Sequence, residues 1–272
     1  LNYFLIFLIY SIGLFSDLRV FNHPLKRLSL QLITILIYLY INKINIDHIN
    51  LIYIDNFLSN YVISLLFTLF CFLILINGSN FIDGSNLQCS GYYFSVLIIF
   101  GILIKNGFLF LDELKIKFLF IFLISFITFN FYNKTFLGDG GSYLLSFIVG
   151  VISIKFFNLN YISPYFIALL LWYPAFENLF TIIRRKYYNN RNVDQPDTKH
   201  LHHLVIKYLK TKKYKKFVLK NIFGFLVFLY NIIIFLIGSM FIYDSKIQIL
   251  LIILSVIVYM LIYQKFKTLI NK

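Results

Sequence analysis

Charged residues are scarce in this sequence of 272 residues, and acids are the scarcest among them. Only 13% of the residues are charged, with 11 Asp and Glu against 25 Lys and Arg. Soluble globular domains carry about 25% charged residues, so this composition excludes an ordinary soluble domain. Hydrophobic residues make up 60% of the chain, and a helix of about 20 apolar residues spans a bilayer core. The sequence therefore predicts an all-α, polytopic transmembrane helical bundle.

Cysteine is nearly absent as well. The two that occur, Cys71 in an apolar run and Cys89 in a polar loop, exclude a disulfide framework and a cysteine metal site. The net charge of +14 would suit nucleic acid, but in a membrane protein topology explains a lysine excess first. Nucleic-acid binding is therefore not expected.

Hydropathy predicts about nine spans in one membrane domain, residues 1–272. The predicted spans are 1–15, 29–46, 57–76, 92–109, 116–132, 142–157, 164–183, 218–239 and 247–264. The first span begins at Leu1 without the charged flank of a signal peptide. Either the chain starts inside a span, or upstream sequence is missing.

Basic residues predict the orientation of these spans. Counted over alternate loops, 19 Lys and Arg fall on one side and 6 on the other, so the first side is predicted to be cytoplasmic. The acids and the histidine cluster that share this side are Asp17, Asp83, Asp139, Asp194, Asp197 and residues 199–203. We therefore expect one catalytic face, on the cytoplasmic side.

Four polar segments on that face interrupt the apolar runs. The first, residues 13–19, reads Gly-Leu-Phe-Ser-Asp-Leu-Arg and ends a predicted span with Asp17. An acid at a membrane boundary costs little and could simply terminate the helix. A functional role for Asp17 therefore depends on its neighbours.

The second segment, residues 77–86, reads Asn-Gly-Ser-Asn-Phe-Ile-Asp-Gly-Ser-Asn. Its Asn77, Asn80 and Asp83 stand at three-residue steps, so their side chains can share one face of a helical turn. A polar turn rich in Asn and Gly is the plainer interpretation. The two apolar residues before Asp83 favour a segment that dips into the membrane and lines a polar cavity.

The third segment, residues 136–142, reads Phe-Leu-Gly-Asp-Gly-Gly-Ser and directly precedes a predicted span. Glycines around Asp139 let the backbone approach a phosphate, and a helix start offers free amide donors to anions. A glycine turn with a capping Asp or Ser explains the pattern equally, and the lysine of a Walker-type loop is absent.

The fourth segment contains three of the five histidines, at positions 200, 202 and 203, behind Asp194 and Asp197. Imidazole changes charge near neutral pH, so the cluster suits metal ligation, proton transfer or phosphate binding. A solvated basic loop is the alternative. Carboxylates, glycine amides and histidines on one face indicate chemistry on a phosphate-bearing substrate with Mg²⁺, or Mn²⁺, as the metal.

In this order, the four segments resemble the polyprenyl-phosphate N-acetylhexosamine-1-phosphate transferases, glycosyltransferase family 4, of the WecA and MraY type. The resemblance runs from about residue 13 to 207, with the C-terminal spans 218–264 beyond it. The span from Trp172-Tyr173-Pro174 to Arg184-Arg185-Lys186 places it closer to the WecA-like branch.

The resemblance implies transfer of an N-acetylhexosamine 1-phosphate from a UDP-sugar to undecaprenyl phosphate, with release of UMP. It implies a multi-pass enzyme of the bacterial inner membrane that initiates a cell-surface glycan, such as lipopolysaccharide or cell wall, with a homodimer as a further expectation. Asp17, Asp139 and His200 would be catalytic, and Asp139 would bind Mg²⁺. The substrate-binding residues would be Arg27, Asn80, Asp83, Asn86, His202 and His203.

Three departures from the family pattern bear on activity. Ser16 stands where the family has the first acid of a pair, and Asn86 stands where many members have Asp. About two spans that usually precede the first acid are missing, which predicts an N-terminally incomplete chain. An inactive transferase homologue is therefore one competing interpretation. A transporter or flippase of lipid-linked glycans, which would bind its substrate without transferring it, is the other.

Overall fold

The computed structural model describes residues 1–21, 23–110, 113–188 and 200–271, and within these ranges the chain is helical without strands. The described residues form the helices α1 (Asn2–Asp17), α2 (Pro24–Asn42), α3 (Ile52–Leu58), α4 (Tyr61–Ile82), α5 (Gln88–Lys105), α6 (Glu113–Phe131), α7 (Gly138–Leu159), α8 (Pro164–Leu170), α9 (Trp172–Tyr188), α10 (Leu201–Thr211), α11 (Lys216–Met240) and α12 (Ser245–Asn271). The predicted all-α class is confirmed.

Seven of the described helices, α2, α4, α5, α6, α7, α11 and α12, are long and apolar enough to cross a membrane. Helices α8 and α9 meet that test together and count as an eighth span if the bent pair is taken as one. The first predicted span is α1, whose 16 residues extend about 24 Å, less than a bilayer core of about 30 Å. The protein is thus a polytopic helical membrane protein, with a shorter helix where the first of nine spans was predicted.

A bend of 73° separates α8 from α9, and Pro174 explains it. Proline has no N–H, so the usual helical bond from position 174 to the Leu170 carbonyl cannot form. The Tyr92 hydroxyl donates to that carbonyl instead, at 2.7 Å. The freed backbone group is therefore satisfied inside the bundle, and α9 leaves at a new angle.

Helices α4 and α7 join the two apolar clusters of the core, since each contributes side chains to both. Helix α1 packs closely on the start of α7, where a Cβ at Gly13 would lie 2.5 Å from the carbonyl oxygen of Asp139. This approach requires glycine and brings the end of α1 to the first turn of α7.

Helix α4 continues six residues beyond the predicted end at position 76 and stops at Ile82. Asn77 and Asn80 therefore lie on the last turns of a span, and the segment does not form a separate dipping element. Asp83 is the residue that ends the helix. The ends of α1, α4 and α9 and the starts of α2, α7 and α10 meet here, and we call this region the polar end.

Candidate active site

Asp17 lies against the first turn of α7. Its carboxylate oxygens accept hydrogen bonds from the backbone N–H groups of Asp139 and Gly140, at 3.0 and 3.2 Å. The first N–H groups of a helix lack partners within the helix and mark its positive end, so a carboxylate is stabilised there. The amides predicted to hold a phosphate thus hold the protein's own acid.

Ser16 connects two charged side chains. Its Oγ donates to Asp139 Oδ2 at 2.6 Å and accepts from Arg27 Nη1 at 2.5 Å. Arg27 Nη1 also contacts Asp139 Oδ2 directly, at 3.2 Å, in a partly exposed ion pair. The residue that departs from the family pattern is therefore a neutral link inside the carboxylate cluster.

Asp83 lies near both of the other acids. Burial raises the pKa of the Asp83 carboxyl well above its usual range, the Gly138 N–H opposes that shift, and the negative charges of Asp139 and Asp17 raise the pKa further. We call Asp17, Asp83 and Asp139 the carboxylate cluster. Asn80 lies one turn before Asp83, with its amide nitrogen 3.4 Å from the Tyr143 hydroxyl.

The end of α4 also contacts the histidines. The Phe81 ring centre lies 5.3 Å from that of His200, and a Cβ at Gly84 would lie 1.9 Å from Nε2 of His202. One short stretch therefore places Asn80 and Asp83 beside Asp139 and Phe81 and Gly84 beside the histidines.

His202 and His203 lie in the first turn of helix α10, so the histidines belong to a helix start and not to a loop. His200 precedes the helix and is 5% exposed, while His202 is 3% exposed. Their rings stack with centres 5.7 Å apart, and the His203 ring centre lies 4.1 Å from that of His202. Asp194, Asp197 and Lys199 lie outside the described residues.

Burial disfavours the charged form of His202. Burial lowers its pKa well below the usual range, and the neighbouring His203 and His200 lower it further. Its Nε2 is buried and has no hydrogen-bond partner among the described residues. A buried polar atom of this kind is costly unless it meets a partner, which favours a ligand contact at this position.

Glu177 is a member of the site that sequence reasoning missed. It is 1% exposed on α9, and its carboxylate lies 2.9 Å from Nδ1 of His200 and 2.5 Å from the Tyr259 hydroxyl. Of the 11 acids, it is the one inside a predicted span. An ionisable residue within a span is by default a functional candidate, so that signal was available.

Asn86 has a different setting from the other predicted substrate-binding residues. Its amide nitrogen donates to Asn133 and Asn221, at 2.9 and 3.2 Å. These bonds join the turn before α5 to the start of α11 and to the turn after α6. The contacts of Asn86 therefore indicate a structural role.

A family model described as glycosyl transferase family 4 matches residues 1–157, which is more than half of the chain. The chain belongs to glycosyl transferase family 4. This membership confirms the predicted general class, a membrane enzyme that transfers a sugar 1-phosphate to a polyprenyl phosphate. The matched residues include the carboxylate cluster, while Glu177 and the histidines lie beyond them. No curated protein and no solved structure matches the chain.

The donor set of this family 4 site fits Mg²⁺ as the resemblance implies. Among the described residues, no three His, Cys, Asp or Glu side chains form a ready-made metal group. Mg²⁺ does not need one, since proteins hold it through one or two carboxylates together with substrate phosphates and water. Burial and, after it, the charges of Asp139 and Asp17 raise the pKa of Asp83. A bound cation would offset that accumulated negative charge, so Asp139 and Asp83 are suitable ligands.

Proposed function

We propose that this family 4 protein transfers an N-acetylhexosamine 1-phosphate from a UDP-sugar to undecaprenyl phosphate and releases UMP. An oxygen of the lipid phosphate bonds to the phosphorus that carries the sugar. The bond from that phosphorus to the bridging oxygen breaks, and this oxygen leaves with UMP. The proposed setting is the cytoplasmic face of a bacterial inner membrane, and the product starts a lipid-linked cell-surface glycan.

The contacts at the end of α4 carry this proposal. Asn80 and Asp83 lie beside Asp139, whereas Phe81 and Gly84 lie against His200 and His202. Phosphoryl transfer depends mainly on positioning and on neutralising charge. A site with carboxylates on one side and histidines on the other can hold both phosphate-bearing substrates.

The residues of this chain divide the work as follows. Arg27 supplies a fixed cation next to Asp139 and suits the phosphate of the lipid. Asp17 already accepts two backbone hydrogen bonds, which supports a positioning role over proton transfer. Mg²⁺, when bound by Asp139 and Asp83, would neutralise charge on the diphosphate. The histidines bind the sugar nucleotide.

Two observations favour a working transferase over the competing interpretations. Ser16 keeps Arg27 and Asp139 connected, so the missing acid does not leave a gap in the site. The acids Asp17 and Asp83 lie at the ends of α1 and α4, whereas transporters bind their substrates near the bilayer midplane.

The test is an assay of the purified protein in lipid nanodiscs with radiolabelled UDP-N-acetylglucosamine, undecaprenyl phosphate and Mg²⁺. We expect labelled lipid and UMP, and none of either after chelation by EDTA or in Asp139→Asn. The matched control is Asp47→Asn, which changes an exposed acid at the opposite end of the bundle and should keep full activity. Folded protein that yields no labelled lipid from any UDP-N-acetylhexosamine would contradict the proposal, as would near-native turnover by Asp139→Asn at limiting Mg²⁺.

A further inference from the structure

Glu177 is an acid in the interior of the bundle. It lies on α9 and is 1% exposed. A buried carboxylate is expensive unless it is paired and hydrogen-bonded, so the contacts that satisfy it identify its purpose. Those contacts come from two other parts of the chain, the start of α10 and helix α12.

Both carboxylate oxygens of Glu177 are used. Oε1 lies 2.9 Å from Nδ1 of His200, and Oε2 accepts from the Tyr259 hydroxyl at 2.5 Å. Oε2 already accepts a hydrogen bond, and the Nδ1–H form of His200 supplies Oε1 with the donor that a carboxylate oxygen needs. In this tautomer Nε2 is the ring nitrogen that carries no hydrogen and can accept a hydrogen bond.

The neighbouring rings hold the imidazole of His200 in place. The Phe81 ring centre lies 5.3 Å from that of His200. The His202 ring stacks on His200, with the ring centres 5.7 Å apart and an interplanar angle of 6°. Phe81 belongs to the same end of α4 as Asp83. Phe81 of α4 and Glu177 of α9 thus fix the His200 ring together, and Phe81 links its position to the carboxylate cluster.

We infer that Glu177 is the positioning residue of His200, and that Tyr259 positions Glu177 in turn. The Glu177 carboxylate holds the imidazole in the Nδ1–H form and leaves Nε2 as a hydrogen-bond acceptor for a hydroxyl or N–H group of the sugar nucleotide. Glu177, His200 and Tyr259 all lie outside residues 1–157, the part that the family model matches. The role of Nε2 rests on the proposed function, while the tautomer of His200 does not.

The first test reads the tautomer directly. Solid-state NMR of the ¹⁵N-histidine-labelled protein in nanodiscs distinguishes protonated from unprotonated ring nitrogens, and a His200→Asn sample identifies the His200 signals. We expect the Nδ1–H form in the unaltered protein and a mixture with the Nε2–H form in Glu177→Met. An Nε2–H signal in the unaltered protein, or an unchanged spectrum in Glu177→Met, would overturn the inference.

The second test reads turnover. Glu177→Met and Glu177→Gln should lower kcat at least about 100-fold, the low end of the effect of a general acid or base, because His200 loses the group that orients it. The KM for undecaprenyl phosphate should stay constant. Tyr263→Phe is the matched control, since Tyr263 lies one turn along α12 from Tyr259 and accepts a bond from Arg184 at 3.1 Å. It should keep both the tautomer and the rate.

The two tests separate the inference from the proposed function. An Nδ1–H tautomer that is lost in Glu177→Met, in a protein without transferase activity, contradicts the proposed function and supports the positioning of His200. Normal turnover in both Glu177 variants overturns the inference and leaves the proposed function standing.

Discussion

Ser16 shows how one side chain can replace a charge. It lies between Asp139 and Arg27, at 2.6 and 2.5 Å. A second carboxylate at this position would lie beside that of Asp139, and two close carboxylates do not both ionise readily. A hydroxyl fills the place without that repulsion and still passes a hydrogen bond from Arg27 to Asp139.

We therefore predict that Ser16→Asp changes turnover by less than about tenfold, because Arg27 can pair with the added charge. Asp17→Asn should lower turnover by at least about 100-fold, on the scale of lost catalytic groups, since its charge no longer stabilises the start of α7. Initial rates of the two variants, compared with that of the unaltered protein, measure both effects. A rise of more than about 100-fold in Ser16→Asp, near the low end of that scale, would instead indicate that the natural chain is a weakened transferase.

Asp83 gives a prediction about stability. Its folded-state pKa lies above the unfolded value because of burial and the charges of Asp139 and Asp17. Between those two pKa values the folded protein binds more protons, so this carboxyl makes the fold less stable as the pH rises through that window. Asp83→Asn, measured without Mg²⁺, should raise Tm at neutral pH and lose this advantage near pH 4.

Thermal melting from pH 4 to pH 8 in EDTA measures this, with Asp47→Asn as a control that should not shift. A Tm of Asp83→Asn below that of the unaltered protein at pH 8 would contradict the assignment. The same variant should lose transferase activity, because Asp83 is a proposed ligand of Mg²⁺.

At the scale of elements, the end of α4 determines whether the two halves of the site meet. Helix α4 ends at Ile82, and the next turn brings Gly84 against His202. The contact leaves no room for a side chain. A Cβ at residue 84 therefore requires the His202 ring to move.

Gly84→Ala should displace His202 and weaken the binding of UMP at least about tenfold, in line with a lost buried hydrogen-bonding group. The control is Gly101→Ala on α5, where an added Cβ meets nothing within 4 Å and alanine favours the helix. Isothermal titration with UMP measures both variants. Equal affinities in the two would show that the contact between Gly84 and His202 does not govern binding.

At the scale of the whole molecule, charge and site share one end of the bundle. Lys and Arg divide 19 to 6 between alternate loops, and the larger group falls with the carboxylate cluster and the histidines. The positive-inside rule then predicts a cytoplasmic polar end, where soluble sugar nucleotides are available.

Two exposed tyrosines test this topology. Tyr214 lies between α10 and α11, and Tyr243 lies between α11 and α12. The substitutions Tyr214→Cys and Tyr243→Cys are each made in a variant without Cys71 and Cys89. An impermeant thiol reagent should label position 243 in intact cells and position 214 only in inside-out vesicles. The reverse pattern would overturn the predicted orientation.

The sequence by itself determined the class of the molecule and most of its helices. Apolar runs of about 20 residues have one stable form in a bilayer, because every backbone polar group must bond within its own segment. Such local constraints predicted the long spans and placed Asp17, Asp83 and Asp139 on one face. They did not predict the bend at Pro174 within the span 164–183.

Only the tertiary structure decided how the site is assembled. Asp17 reaches an amide 122 positions away, and Glu177 bonds to His200 and to Tyr259, which is 82 positions away. Such pairings depend on which helix faces pack together, and hydropathy carries no information about them. From the sequence, the amides at the start of α7 were predicted to bind phosphate. In the structure α1 packs against them at Gly13, and they donate to the carboxylate of Asp17.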